Sequence, residues 1–150
     1  MSNSEYLYLS HNVSILVYHI VCPAKYRRVV FDKSVDEHLR LICLEIEKRY
    51  DYIVFLEIGT DKDHVHFLIQ SSPNYALSKV IRIIKSITAS QIFVECPQVK
   101  KALWGGQFWS DGYFVATVGK NQNETVIKEY VKNQGKQESE YEQLYLIIHD

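Results

Sequence analysis

The sequence predicts an α+β fold of the ferredoxin-like type, a βαββαβ antiparallel sheet with helices on one face. Three observations support this fold class. The chain has 150 residues, 47% of them apolar, which suits one domain with a single core over residues 1–150. Strand-like and helix-like hydrophobic patterns follow one another in the order β-α-β-β-α-β. Turn residues separate the second and third strand patterns, as expected of a hairpin. In this order the first and third strands form the central pair of the sheet.

The first strand and first helix are predicted from opposite kinds of hydrophobic pattern. Val13–Val21 is rich in β-branched residues and apolar on both faces, which is typical of a central strand, and Pro23 ends it. Ser34 and Glu37 have the spacing of a capping box and predict the start of a helix. The apolar stripe of that helix recurs every three or four residues and consists of Leu39, Ile42, Cys43 and Ile46.

The remaining sheet elements surround a second, longer helix. Tyr52–Ile58 and His64–Gln70 are predicted as the second and third strands, joined by a turn at Gly59–Asp63. Tyr113–Val118 is predicted as the fourth strand. Between the third and fourth strands, apolar residues at helical spacing indicate a long amphipathic helix: Leu77, Val80, Ile81, Ile84, Ile87 and Ile92.

A further helix is predicted beyond the sheet. Asn121 and Glu124 resemble an N-cap and its box partner, and Gly135 occupies the position of a C′ glycine after Gln134. Residues 137–150 are acidic, contain no Lys or Arg, and carry apolar residues at helical spacing, so we expect a helical tail there.

The charge distribution bears on nucleic-acid binding. The net charge of −1 counts mildly against that class of protein. However, removing the four acids of the tail from the total of 18 leaves 14 acids against 17 bases in the rest of the chain, a net charge of +3. Two basic clusters are candidate DNA contacts: Lys25, Arg27 and Arg28, and Lys79, Arg82 and Lys85. The alternative for each cluster is an ordinary solvated face. Aromatic residues near these clusters could stack on bases or belong to the core: Tyr26, Trp104, Phe108, Trp109 and Tyr113.

Cysteine usage and hydropathy predict where the protein acts. The three cysteines form no CxxC pair and are odd in number, which is typical of reduced, buried thiols. The N-terminal residues lack the pattern of a signal peptide. The longest apolar run, near Val13–Val21, is far shorter than the roughly 20 residues needed to span a bilayer. We therefore expect a cytoplasmic protein with no membrane partner.

Two pairs of residues are candidates for chemistry. His64 and His66 are two apart on a predicted strand, so both side chains point to one face and could bind one metal ion, while Val65 points into the core. An HxH motif alone, however, is more often two unrelated surface histidines. Tyr130 and Gln134 are four apart on a predicted helix and share a face. Taken alone, Tyr130 is more often a packing residue.

Four segments together resemble a known family, the TnpA-type single-tyrosine transposases of the HUH endonuclease superfamily, which occur in small insertion sequences. The segments are YHIVCPAKYRRVVF (18–31), EIGTDKDHVHFLIQ (57–70), LWGGQFWSDGYFVATVG (103–119) and IKEYVKNQG (127–135). They stand in the family's order and at its spacing over roughly residues 11–136. The resemblance departs from the family at Gly119-Lys120, where two glycines are common.

The resemblance implies a site and an activity. His64 and His66 match the pair that binds a divalent metal ion, Mg²⁺ or Mn²⁺, and Gln134 matches the third ligand. Tyr130 matches the nucleophile, which cuts and rejoins single-stranded DNA through a 5′-phosphotyrosine. The family works as a homodimer and recognises hairpins near transposon ends. We expect composite sites, in which the histidines of one subunit meet Tyr130 and Gln134 of the other. No base that activates Tyr130 is identified, because Asp61 and Asp63 are interpreted as turn residues.

Three other functions share parts of this pattern. A domesticated relative acting on repeated chromosomal elements would have the same site, and only the genomic neighbourhood separates the two. A non-catalytic nucleic-acid-binding module of the same fold places stacking aromatics on the central strands, whereas here the third strand carries His64 and His66. A relaxase usually has its tyrosine before the histidines, whereas Tyr130 follows them.

Overall fold

The computed structural model describes residues 16–103 and 106–118, the short strands at residues 7–8 and 13–14, and the helical pair Val131 and Lys132. The strands are β1 (Leu7–Tyr8), β2 (Val13–Ser14), β3 (Leu16–Pro23), β4 (Ile53–Asp61), β5 (His64–Ser71) and β6 (Phe114–Val118). The helices are α1 (Lys33–Arg49), α2 (Leu77–Glu95) and α3 (Pro97–Ala102), and a short 3₁₀ turn spans Lys25–Arg27. β1 and β2 pair with each other, separately from the main sheet.

The main sheet has four antiparallel strands in the order β4-β5-β3-β6. Its central pair, β3 and β5, is the first and third strand of the βαββαβ sequence, which confirms the predicted fold class. Directly opposed residues on antiparallel strands present their side chains to the same face. The pairs Val21↔His66 and Pro23↔His64 therefore fix which residues share a face with the histidines.

Helices α1 and α2 cover one face of the sheet and bury the main core. Ile20, Val65 and Phe67 from the central strands pack there against the helices. The predicted stripe of α1 is confirmed, because its four residues are all buried in this cluster: Leu39, Ile42, Cys43 and Ile46. We call the other side of the sheet the open face. It carries a second, smaller buried cluster: Val17, Leu56, Leu68, Val118 and Val131.

Helix α1 begins one residue before the predicted cap. Asp32 is the N-cap, and its carboxylate accepts a hydrogen bond of 2.9 Å from the backbone N–H of Val35. The predicted capping box of Ser34 and Glu37 was therefore wrong, and Ser34 lies inside the first turn. A carboxylate at this position both satisfies an unpaired N–H and lies at the positive end of the helix dipole.

The hairpin between β4 and β5 is tighter than predicted. β4 extends to Asp61, so the turn comprises only Lys62 and Asp63. β4 also contains a bulge between Phe55 and Glu57, which shifts its pairing with β5 by one residue. Because of that shift, Gly59 and Asp61 lie opposite the two histidines of β5. The short helix α3, with Pro97 at its first position, was not predicted.

The helix predicted beyond the sheet falls largely outside the described residues. Val131 and Lys132 are helical, in agreement with the prediction. Val131 is fully buried against the open face of its own sheet. The N-cap at Asn121, the C′ glycine and the acidic tail at 137–150 lie outside the described part of the chain.

Candidate active site

Three histidines come together on the open face of the sheet. His64 and His66 project from β5, as predicted, with ring centroids 5.1 Å apart. His19 projects from the neighbouring strand β3, diagonally across from His66. The rings of His19 and His66 are nearly parallel, with centroids 5.0 Å apart and planes inclined by 18°. We call His19, His64 and His66 the histidine cluster.

The histidine cluster is buried, whereas the sequence suggested surface positions. His19 and His66 are 1% and 0% exposed, and His64 is 8% exposed. The alternative interpretation of the HxH motif as two unrelated surface histidines was therefore wrong. The histidines are buried because β5 is flanked by strands on both sides. In addition, the smaller buried cluster that contains Val131 covers the same face two residues further along β3 and β5.

His19 and His66 form a buried hydrogen bond. Nε2 of His19 lies 2.8 Å from Nδ1 of His66. Burial lowers the pKa of His19 to about 4. Burial, followed by the charges of His19 and His64, lowers the pKa of His66 well below its usual value. At neutral pH both rings are therefore uncharged, and each has one N–H and one lone pair. Sequence reasoning missed His19; its only signal was a histidine within an otherwise apolar central strand.

His64 is held by a carboxylate from the adjacent turn. Its Nδ1 donates to Oδ1 of Asp63 at 2.7 Å, and Nε of Arg27 donates to the other carboxylate oxygen at 3.1 Å. Burial alone would raise the pKa of Asp63, but the hydrogen bond from His64 and the charge of Arg27 outweigh it, so the pKa is lowered. Asp63 is thus more than the turn residue it was interpreted to be: as an ionised carboxylate it orients the His64 ring. Asp61 lies further away, with a carboxylate oxygen 3.9 Å from Nε2 of His64.

The geometry of His64 and His66 fits one metal ion. With metal–nitrogen bonds of about 2.1 Å and bond angles of roughly 90–110°, two imidazole centroids lie roughly 4.6–5.3 Å apart. The observed 5.1 Å falls in this range. Both Nδ1 atoms are engaged by other residues, so Nε2 is the atom on each ring that a metal ion would bind. In the described part of the chain, no three His, Cys, Asp or Glu side chains are grouped to hold a metal ion. The pair therefore needs a further ligand from elsewhere, such as an amide.

Tyr130 and Gln134 lie outside the described residues. Their neighbour Val131 packs against Val17 and Leu68 on the open face. Each of those residues is two positions along its strand from a member of the histidine cluster, His19 on β3 and His66 on β5. The helix that contains Val131 therefore lies on the same face as the histidines.

The first predicted DNA-binding cluster lies in the loop after β3. Arg27 and Arg28 are exposed and Lys25 is half-buried, and the side chain of Arg27 reaches Asp63. Tyr26, in the same loop, is 64% exposed. Tyr26 and Arg27 both adopt left-handed backbone conformations, with φ of 58° and 53°. Such conformations are strained for residues with a side chain, and here they present an aromatic ring to solvent beside two arginines.

The residues of the second predicted DNA-binding cluster differ in what they contact. Lys79 and Arg82 on α2 are exposed. Lys85 is half-buried and donates to the carbonyl of Ser110 at 2.7 Å, with its ammonium 5.6 Å from the centroid of the Tyr113 ring. Its charge thus holds the loop before β6. Of the aromatic candidates, Phe108 and Trp109 are core residues, Tyr26 and Tyr113 are exposed, and Trp104 lies outside the described residues.

The βαββαβ sheet with a histidine pair on its open face is the architecture of a single-tyrosine transposase. The chain belongs to the IS200-like transposase family, because the sequence profile described as "Transposase IS200 like" matches residues 12–134. This confirms the resemblance found in the sequence. None of the helices among the described residues is long and apolar enough to cross a bilayer.

Individual relatives agree with this assignment. The chain is 32% identical to the ISDra2 transposase TnpA of Deinococcus radiodurans over 120 residues, which cover 79% of this chain and 84% of the relative. It is 30% identical to the IS200 transposase of Salmonella typhimurium over 140 residues, which cover 91% and 88% of the two chains.

Solved structures share the fold. A crystal structure from Deinococcus radiodurans R1, assigned to a transposase, superposes with a TM-score of 0.68 at 26% identity, covering 85% of this chain and 97% of that one. A REP-associated tyrosine transposase bound to a REP hairpin superposes with a TM-score of 0.58, covering 87% and 70% of the two chains. Its identity of 13% supports the likeness of fold alone.

Proposed function

We propose that this protein cuts and rejoins single-stranded DNA at transposon ends, with Tyr130 as the nucleophile. Membership of a transposase family supports DNA cleavage and strand transfer as the general activity. The observation that carries the specific proposal is the placement of His64 and His66 on the face where the helix of Val131 docks. Tyr130 directly precedes Val131 in the chain.

The proposed reaction exchanges one phosphate ester for another. The Tyr130 hydroxyl oxygen bonds to phosphorus, its proton passes to water, and the bond from phosphorus to the 3′-oxygen breaks. The 3′-oxygen takes up a proton, and the 5′-phosphate stays on the tyrosine. Because an ester is conserved, a 3′-hydroxyl of another strand can attack the phosphotyrosine and reverse the step without ATP. Attack by water would forfeit that option.

His64, His66 and Gln134 would hold the divalent ion, Mg²⁺ or Mn²⁺. These ligands carry no charge, so the bound ion would keep its full charge to polarise the scissile phosphate and stabilise the departing 3′-oxygen. The neighbours of the histidines favour this role. Asp63 fixes the ring of His64 through Nδ1, as carboxylates commonly do for metal-binding histidines. The burial of the histidine cluster excludes water that would compete for the phosphate.

We propose that the loop with Lys25, Arg27 and Arg28 receives the DNA next to the reacting phosphate. The contact from Arg27 to Asp63, and from Asp63 to His64, shows how near this loop is to the histidine cluster. Exposed Tyr26 can stack on an unpaired base, and the arginines can bind phosphates. Lys79 and Arg82 on α2 offer a further basic surface, suited to the backbone of a hairpin. A net charge near zero makes these local clusters the source of affinity.

We further propose that the whole chain, residues 1–150, forms one domain that works as a homodimer. In the main sheet, β6 pairs only with β3 among the described strands. An uncovered sheet edge tends to pair with another chain. The second edge of β6 is therefore a natural place for a partner subunit.

The deciding experiment is incubation of the protein with single-stranded oligonucleotides that carry a hairpin, in the presence of Mn²⁺. We expect a covalent protein–DNA adduct that survives denaturing electrophoresis and maps to Tyr130 by mass spectrometry. A fully duplex oligonucleotide of the same sequence is the matched control and should give no adduct. Equal cleavage of the duplex, or an adduct on another residue, would contradict the proposal.

A further inference from the structure

We propose that His19 is a positioning residue that selects the tautomer of His66 able to bind the metal ion. The inference rests on the proposed metal site at His64 and His66. It begins from one contact: Nε2 of His19 lies 2.8 Å from Nδ1 of His66, in the buried centre of the sheet. The contact joins the two central strands β3 and β5.

Only one arrangement of the protons in this pair allows coordination. Because Nδ1 of His66 faces His19, a metal ion would bind Nε2 of His66, which must then present a lone pair. The proton of neutral His66 must in that case sit on Nδ1 and be donated to Nε2 of His19. His19 must accept at Nε2 and carry its own proton on Nδ1. If His19 instead donates from Nε2, the proton of His66 sits on Nε2 and blocks the metal position.

Asp63 and His19 fix the tautomers of the two proposed metal ligands, His64 and His66, to different degrees. Asp63 is a carboxylate that can only accept, so it fixes the proton of His64 on Nδ1 outright. His19 can donate or accept, so the proton of His66 depends on the tautomer of His19. Nδ1 of His19 is buried and has no hydrogen-bond partner within the described part of the chain. The contact with His66 is thus the described interaction through which the tautomer of His19 acts.

Because both rings are buried, the hydrogen bond between His19 and His66 matters for metal affinity. His19 and His66 are 1% and 0% exposed, so solvent does not replace a lost hydrogen bond at Nδ1 of His66. The hydrogen bond between two nearly parallel rings also fixes the direction in which the His66 ring points. Neighbours that orient metal-binding histidines in this way typically contribute about 10- to 100-fold to metal affinity.

The test compares three variants of the full chain, with Mn²⁺ affinity measured by calorimetry in the absence of DNA. His19→Leu removes the partner at similar size, and we expect about 10- to 100-fold weaker binding. His19→Gln places an amide oxygen near the position of Nε2 and should restore affinity to near the wild-type value. Ile20→Val, next to His19 on β3 but buried on the face covered by the helices, controls for a packing defect: it should lower the melting temperature without weakening metal binding.

The wild-type protein provides a second readout that does not depend on any variant folding. Long-range ¹H–¹⁵N correlation spectra of the imidazoles report which nitrogen carries each proton. With saturating Mg²⁺, we expect Nδ1–H on both His19 and His66. A metal-bound protein in which His19 carries its proton on Nε2 would overturn the inference.

The outcomes separate this inference from the proposed metal site. If the wild-type chain binds no Mn²⁺, the metal site fails and the role of His19 fails with it. If the wild type binds and His19→Leu binds equally well, only the role of His19 is overturned. The same holds if His19→Gln and Ile20→Val lose as much affinity as His19→Leu, because the effect would then be one of packing.

Discussion

Nδ1 of His64 donates a hydrogen bond of 2.7 Å to the carboxylate of the residue directly before it in the chain, Asp63. The two residues stand where the hairpin turn passes into β5. The turn thus has two functions: it reverses the chain, and it fixes the ring of a proposed metal ligand. Arg27 binds the same carboxylate from the loop after β3, so the loop proposed to receive DNA is tied to the histidine cluster.

We expect Asp63→Ala to weaken Mn²⁺ binding about tenfold or more, because the His64 ring loses the partner that orients it. Asp63→Asn keeps an oxygen acceptor without the charge and should have an intermediate effect. The loss of the exposed ion pair with Arg27 should contribute little to stability. Calorimetric titration measures the affinity, with Asp51→Ala in the exposed turn before β4 as the control. Wild-type affinity in Asp63→Ala would show that the hydrogen bond is incidental.

Tyr130→Phe should abolish cleavage and adduct formation while leaving hairpin binding nearly unchanged. The substitution removes only the hydroxyl and keeps the aromatic ring. Electrophoretic mobility shift measures binding, and denaturing electrophoresis measures the adduct. Tyr113→Phe, at an exposed tyrosine outside the open face, is the matched control and should retain activity. An adduct formed by Tyr130→Phe would eliminate Tyr130 as the nucleophile.

Substitution of the metal-site histidines should affect both metal binding and stability. His66→Ala removes a buried hydrogen bond and leaves Nε2 of His19 without its partner, so we expect a loss of roughly 1–3 kcal/mol in unfolding free energy. Both His64→Ala and His66→Ala should abolish cleavage and lose most of the affinity for the metal ion. Gln134→Ala should weaken metal binding less, because both imidazoles remain. Unchanged Mn²⁺ binding in a chain lacking both His64 and His66 would place the metal site elsewhere.

The metal-free protein should lose stability as the pH falls from about 6.5 to about 4. The pKa of His19 is lowered to about 4 by burial, so the unfolded chain takes up a proton below pH 6.5 that the folded chain resists. Each such proton contributes a slope of up to about 1.4 kcal/mol per pH unit. His66, which faces His19, adds to the effect in the same direction. Urea denaturation in a chelating buffer measures the slope, which should be smaller in His19→Gln. A slope that is the same in both proteins would show that His19 does not contribute.

Mixing inactive subunits tests whether the sites are composite. Val131 docks on the sheet of its own chain, but an identical surface on the partner subunit would accept it equally well, and such exchanges occur at low cost. We therefore expect His64→Ala and Tyr130→Phe proteins, each inactive alone, to regain adduct formation when their subunits exchange. Exchange is checked separately with differently tagged chains. If adducts stay absent despite proven exchange, the helix acts on its own subunit.

Sequence patterns predicted the site best where the alternation of side chains along a strand alone decides which residues share a face. The side chains of His64 and His66 share a face because strand residues alternate, and this needs no knowledge of neighbours. Their burial depends on the strands beside β5 and on the helix of Val131, so local pattern could not reveal it. His19 was missed for the same reason: its contact with His66 is set by the pairing of two strands 47 positions apart in sequence. The cap at Asp32 was misassigned because Ser34 offered an equally good local motif.

The bulge in β4 means that this strand has two phases. Before it, odd-numbered positions such as Phe55 face the helices; after it, even-numbered positions such as Ile58 do so. Substitution tolerance in a saturation scan should therefore change parity at Leu56. Deletion of that single residue would restore one continuous alternation without changing the pairing of the far half of the strand. Gly59 and Asp61 would remain opposite His66 and His64. A deletion beyond the bulge, where each residue has a partner on β5, is thus expected to harm catalysis more than deletion of Leu56.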